Sequence, residues 1–149
     1  MTSCKLLMFV LVSSAQAQSP AEVTEFQALL QRGRELQGGG RHQDSLRFFE
    51  KALDMAKGMG PLSESIALEW VGSAYFERRR LAESERAFVR CLELRNRLFG
   101  GGNERDPNHA RILASLGGVE VALGRYQQAE ERFDMTTSLT FAVEAVETR

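Results

Sequence analysis

Few residues in this chain could carry chemistry, and their spacing does not assemble a reaction centre. The two histidines, His42 and His109, stand far apart, and neither has the partner four residues away that a helical metal site needs. Cys4 and Cys91 belong to no ligand cluster, so neither zinc binding nor an internal disulfide is expected. Gly100-Gly101-Gly102 lacks the lysine and hydroxyl residue of a phosphate-binding loop, and no strand precedes it. Acidic pairs such as Glu83 with Glu85, or Glu130 with Glu131, fall on exposed helix surface with no sign of a buried pocket. Sixteen arginines and three lysines are scattered among twenty acids, the pattern of a solvated surface with local ion pairs. The net charge of −1 provides no field toward nucleic acid or anionic lipid. These residues predict no catalysis, no cofactor and no metal.

The elements carry a stronger pattern than the reactive groups do. Gly33, Gly72 and Gly117 are each followed sixteen residues later by a phenylalanine: Phe49, Phe88 and Phe133. Small residues stand twelve positions after each glycine (Ser45, Ser84, Ala129) and again at nineteen (Ala52, Cys91, Thr136). A glycine inside a helix costs about 1 kcal/mol against alanine, so three at matching places need a shared packing reason. Close approach of two helices supplies it, with the aromatic filling the wedge between one pair and the next. Cys91, in a column of small residues, reads as buried packing.

Local signals place six helices. Ser19-Pro20-Ala21-Glu22 combines a cap, a proline at the first helical position and a capping-box glutamate. Val23, Phe26, Leu29, Leu30, Gly33 and Leu36 then form an apolar stripe that Gly38-Gly39-Gly40 ends. The second helix carries Leu46, Phe49, Ala52, Leu53 and Met55 and breaks at Gly58 and Gly60-Pro61. The third is expected to begin near a Ser63 cap and to end at Arg78-Arg79-Arg80. The fourth runs to Phe99. Asp106-Pro107 repeats the cap-and-proline device for the fifth, and Gly124-Arg125 turns into the sixth. No segment alternates as a strand would. Arg41, Arg80 and Arg125, eight residues after their glycines, are expected to stabilise these turns by ion pairs or carbonyl contacts.

Residues 1–17 read as an export signal: Lys5, an apolar run from Leu6 to Val12, and Ala15-Gln16-Ala17 at the cleavage site. The run is far short of the roughly 20 apolar residues that span a bilayer. Cleavage after Ala17 would remove Cys4 and leave 18 basic and 20 acidic residues, a net charge of −2 with no membrane span. The expected location is the periplasm or the extracellular space. The domain to follow is 18–149, with repeats at about 20–57, 63–99 and 106–140.

Ala114-Ser115-Leu116-Gly117 through Leu123-Gly124-Arg125-Tyr126-Gln127-Gln128-Ala129-Glu130 closely matches the tetratricopeptide-repeat motif. Leu68, Gly72, Tyr75 and Phe88 carry a second copy; Leu29, Gly33, Leu36, Gly40, Phe49 and Ala52 carry a first. The chain therefore resembles the tetratricopeptide-repeat family over nearly all of residues 20 to 140. Its spacings, 39 residues from Gly33 to Gly72 and 45 from Gly72 to Gly117, exceed the family's 34 and resemble the kinesin-light-chain-like branch. Arg32, Glu120 and Thr136 depart from the motif, and Ala114-Ser115 replaces the asparagine pair of that branch's peptide groove.

The resemblance implies an all-α, right-handed solenoid of three stacked antiparallel helix pairs whose first helices line a concave face. The groove positions would then be Gln27, Leu30, Arg34 and Gln37; Ile66, Glu69, Ser73 and Phe76; and Arg111, Ala114, Gly118 and Val121. Such a lining suits an extended peptide or a helix of a protein partner. Repeat arrays need a polar outer face at each end, yet Leu139, Phe141, Val143 and Val146 are still uncovered in the sixth helix. Two readings stay open: an exported adaptor using its groove, or a structural unit that self-associates through residues 139–146. The uncovered residues are also explained if the segment folds back as its own cap, or if the chain is a fragment of a longer repeat protein.

Overall fold

The computed structural model describes residues 18–100, 106 and 108–147, with side chains as far as residue 137. The proposed signal segment, 1–17, lies outside the described residues. Six helices and no strand occur among those described: α1 (Pro20–Gly38), α2 (His42–Met59), α3 (Pro61–Glu77), α4 (Leu81–Phe99), α5 (His109–Ala122) and α6 (Tyr126–Glu147). At α1 the capping box forms as its sequence dictates. Ser19 Oγ accepts from the Glu22 N–H at 3.2 Å, and Glu22 Oε2 accepts from the Ser19 N–H at 2.9 Å.

Two helix starts differ from the sequence reading. α3 begins at Pro61, two residues before the expected Ser63 cap, because Gly60 turns the chain at φ +105° and proline needs no N–H at the first helical position. α5 begins at His109, because Asp106 does not cap it. The Asp106 carboxylate accepts from Asn108 N–H at 3.1 Å and is otherwise held by Arg95.

The turns within the three pairs close in one way. The N–H groups of Arg41, Arg80 and Arg125 reach back to the carbonyls of Leu36, Tyr75 and Glu120 at 2.8–2.9 Å. Those of Gly40, Arg79 and Gly124 bond to Gln37, Phe76 and Val121 at 2.9–3.0 Å. This double closure satisfies the free carbonyls of a helix end and requires a left-handed residue at its centre. That residue is Gly40 at φ 74° and Gly124 at φ 76°, but Arg79 at φ 60° in the middle pair. The arginine column then makes ion pairs, Arg41 with Asp44 and Arg80 with Glu83 in the next turn, and Arg125 with Glu85 of the preceding pair.

The glycine columns are explained by the phenylalanines of their own pairs. A Cβ on Gly72 would lie 3.1 Å from the Phe88 ring, one on Gly117 2.9 Å from Phe133, and one on Gly33 would clash with the edge of the Phe49 ring. The ring thus lies in the notch that the missing side chain leaves, within one helix pair. Only its other face meets the next pair, where Phe49 stacks on Trp70 at 5.6 Å between centroids. The small residues at twelve are buried, and Ser84 Oγ donates to the Gly72 carbonyl at 2.7 Å.

Each helix packs on its sequence neighbours, and the core sits between them. Leu46, Phe49, Ala52 and Ala56 meet Ala67, Val71 and Ala74 where the first and second pairs join. Phe88, Cys91, Leu92 and Leu94 meet Ile112, Leu113, Leu116 and Val119 where the second joins the third. The outer face of α1 is polar at the corresponding places. Ala28, Gln31, Arg32 and Glu35 are exposed there, with Arg32 paired to Glu35 at 3.1 Å. Arg32 departs from the repeat motif because no pair packs against that face among the described residues.

Candidate functional site

The first helices α1, α3 and α5 lie side by side and share one face, tied by polar contacts across long sequence separations. Gln37 Nε2 donates to Ser73 Oγ at 3.3 Å and to Glu77 Oε1 at 2.7 Å, joining α1 to α3. The second Glu77 oxygen is 2.7 Å from His42 Nδ1 at the start of α2. Arg111 of α5 pairs with Glu69 of α3 and donates to Asn108 Oδ1 at 3.0 Å.

The expected groove residues fall into four rows on this face when counted from their glycines. One position after the glycine stand Arg34, Ser73 and Gly118; four after stand Gln37, Phe76 and Val121. Three before stand Leu30, Glu69 and Ala114; six before stand Gln27, Ile66 and Arg111. Not all are free to meet a partner. Leu30, Ile66 and Phe76 are half-buried and pack on the core clusters. Glu69 is 9% exposed and neutralised by Arg111, so the one acid expected to line the groove is consumed by the fold. Gln27, Arg34 and Val121 are exposed, and Ala114 and Gly118 are half-buried.

Arg34 is held over the Trp70 ring, its guanidinium carbon 5.2 Å from the centroid, a cation–π contact. The guanidinium carries five N–H donors, and a contact with a ring face leaves them available to an acceptor. The sequence reading missed Trp70, Glu77, His42 and Asn108 at this face. Trp70 was signalled only by its place on α3 two residues before Gly72, next to the row that holds Arg34.

Gly118 differs from its neighbour Gly117. A Cβ at Gly117 meets the Phe133 ring, whereas one at Gly118 meets nothing within 4 Å. Together with Ala114 and Val121 it leaves a low, open strip along α5.

Groups outside this face are structural. The Cys91 thiol is buried, donates to the Ser65 carbonyl at 3.1 Å, and is pushed up to about 12 by burial, which keeps it in the unreactive thiol form. Burial alone would raise the Asp106 carboxyl, but the Arg95 guanidinium and the Asn108 N–H outweigh it and hold it below the usual carboxylate range. Burial lowers His109 beside them, against the pull of Asp106. Glu120 is 3% exposed with Oε1 3.3 Å from Arg132 Nε, and its other oxygen has no partner among the described residues. A cleft of about 640 Å³ opens between α1 and α2, lined by Leu36 and Phe48 among four basic and three acidic side chains. No group of three or more potential metal ligands occurs among the described residues. No described helix is long and apolar enough to cross a membrane. Leu139, Phe141, Val143 and Val146 lie on the α6 backbone, with side chains outside the described residues.

Six antiparallel helices stacked as pairs, with glycine notches filled by the partner helix, define an all-α helical-repeat solenoid. A tetratricopeptide-repeat family model matches residues 63–139, and the chain belongs to that family. Among solved structures it is similar to the tetratricopeptide-repeat domain of Arabidopsis FLU, at 16% identity and TM-score 0.68 over 86% of this chain and 99% of that one. It is also similar to the second such domain of Spaghetti (RPAP3), solved bound to the HSP90 peptide SRMEEVD, at 16% identity and TM-score 0.61 over 80% and 97%. No curated protein sequence matches the chain.

Proposed function

We propose that this chain is an exported, non-catalytic interaction module that takes an extended segment of a partner protein on the α1/α3/α5 face. The observation that carries this reading is Arg34. It is exposed, braced on Trp70 and without an acid partner among the described residues, while the acids of the same face are engaged elsewhere. An extended peptide suits a face built from parallel rows of side chains. The peptide held by the similar Spaghetti domain supports the same mode.

The test is crosslinking capture from the native host's envelope fraction, using the wild type and an Arg34→Glu/Val121→Glu variant. Both positions are exposed, so the variant should keep its helical circular dichroism. Proteins held by the wild type and by a Lys51→Glu control, but lost from the double variant, would identify the partner. Equal capture by all three would remove this face from the interaction. Export is tested by N-terminal sequencing of the protein from its host: Gln18 as the first residue is expected, and an intact Met1 would overturn it.

Self-association through α6 is the second reading, favoured by the Phe133 ring at 39% exposure and Met135 at 48%. Phe141→Glu should then abolish a dimer seen by sedimentation equilibrium. A monomer at high micromolar concentration ends that reading.

A further inference from the structure

Gly118 is a mid-helix glycine that no described residue explains. Its neighbour Gly117 is required by Phe133, and Gly40 and Gly124 by their left-handed turns, but the space above Gly118 is empty. A helix-weakening residue at such a place has a use when another backbone must come close. Gly118 also stands in the same row as Arg34 and Ser73, one position after each repeat glycine. The row thus runs from a cation, past a hydroxyl, to a bare stretch of helix. The face's own carboxylates are spent: Glu69 on Arg111, Glu77 on Gln37 and His42.

Building on the peptide-groove reading above, we infer that the partner segment is an extended chain with two anchors along this row. A carboxylate side chain sits on the Arg34 guanidinium, and an apolar side chain lies on the strip over Gly118 and Ala114. The Ser73 hydroxyl, already accepting from Gln37, remains able to donate to a peptide carbonyl midway. Helices packed at about 10 Å per step put α1 roughly 20 Å from α5. An extended chain covers that distance in about six residues at roughly 3.3 Å each. The two anchors are therefore about six positions apart in the partner's sequence, and both are internal side chains.

The experiment is fluorescence anisotropy with short fluorescein-labelled serine/threonine peptides that carry one Asp and one Leu at increasing separation. Binding should be tightest near a separation of about six and should weaken at shorter and longer ones. Arg34→Glu should abolish the need for Asp, and Gly118→Leu should abolish the need for Leu, each with a loss of about tenfold or more at the best spacing. Because leucine is the better helix former, Gly118→Leu should raise the Tm, so lost binding could not be assigned to unfolding.

Binding that ignores the spacing, or that survives Gly118→Leu, overturns the two-anchor assignment. If such binding is still lost in Arg34→Glu/Val121→Glu, the groove reading stands without it. If no peptide binds, or no variant of this face changes the affinity, both fall. A dimer of the protein itself that Gly118→Leu dissociates would make the occupant a second copy and overturn the assignment as well.

Discussion

The two junctions between helix pairs bury the same kind of apolar side chain but are closed by different means. At the first, Gly60 alone links α2 to α3, and Phe49 stacks on Trp70. At the second, nine residues (100–108) link α4 to α5. Their described end is pinned by the Arg95–Asp106 ion pair, 4% and 1% exposed, with Arg95 also reaching Ser65 Oγ at 3.4 Å and lying 5.5 Å from the Phe99 ring centroid. The packing columns therefore set how pairs stack, and the connection is free to lengthen if its return is fixed. The longer connection accounts for the wider Gly72-to-Gly117 spacing, partly offset because α5 starts closer to its glycine than α3 does. Fixing that return took a buried charge pair, which adds little net stability but is expensive to break.

The largest test removes one half of that pair. Asp106→Ala should destabilise the protein by about 3–5 kcal/mol in urea unfolding, by leaving Arg95 charged and buried. The Arg95→Met/Asp106→Leu double variant should recover most of that loss. If the single variant is nearly silent, the second junction is closed by apolar packing alone, like the first.

A second test weighs a covered junction against the open end. Phe49→Ala, at 0% exposure and stacked on Trp70, should cost about 3–5 kcal/mol. Phe133→Ala fills the same notch but is 39% exposed, and should cost about 1–2 kcal/mol. Equal losses would mean that α6 is covered in solution.

Acid should separate the junctions in turn. The folded state holds His109 below its ordinary 6.5, so the unfolded chain binds more protons between those two values. Stability should therefore rise with pH through that window and fall on acidification from pH 6.5 toward the folded value. His109→Gln should remove this slope in Tm against pH. Asp106 acts lower: held below 3.8 in the fold, its contribution is present above that value and is lost as pH falls through the depressed one.

The smallest effect belongs to a turn away from both junctions. Arg79 adopts the left-handed conformation that glycine occupies in the other two pairs, so Arg79→Gly should stabilise by about 1 kcal/mol. Unchanged or lower stability would show that the Arg79 side chain contributes more than its backbone costs.

Six helices, their turns and the glycine–phenylalanine columns were legible because each rests on local chemistry. Pro20 and the Ser19–Glu22 box act within one helical turn, and Gly40 and Gly124 close helix ends through their own backbone. What stayed hidden depends on distance or competition. The spacing puts Gly72 and Phe88 in one register and suggests a ring in the wedge between pairs, but it could not say that the ring fills the notch within its own pair. Ser63 lost to Gly60-Pro61 because a glycine at positive φ followed by proline turns the chain earlier. Asp106 carries a cap's residue type, yet Arg95, eleven positions away, claims its carboxylate. The groove suffered most from this. Glu69 and Arg111 both count as groove positions by their spacing, and the ion pair that joins them spans 42 residues.

The charged outer face of α1 has a consequence for behaviour at high concentration. Where α3 and α5 offer Val71 with Ala74 and Leu116 with Val119 to the pair before them, α1 offers Arg32 and Glu35. A copy approaching head to tail would have to strip water from that ion pair against an α6 surface bearing Phe133. An open-ended contact of this kind is what builds filaments, and a polar leading face denies it. A pairing of α6 with α6 would instead be like with like, and it would close after two chains.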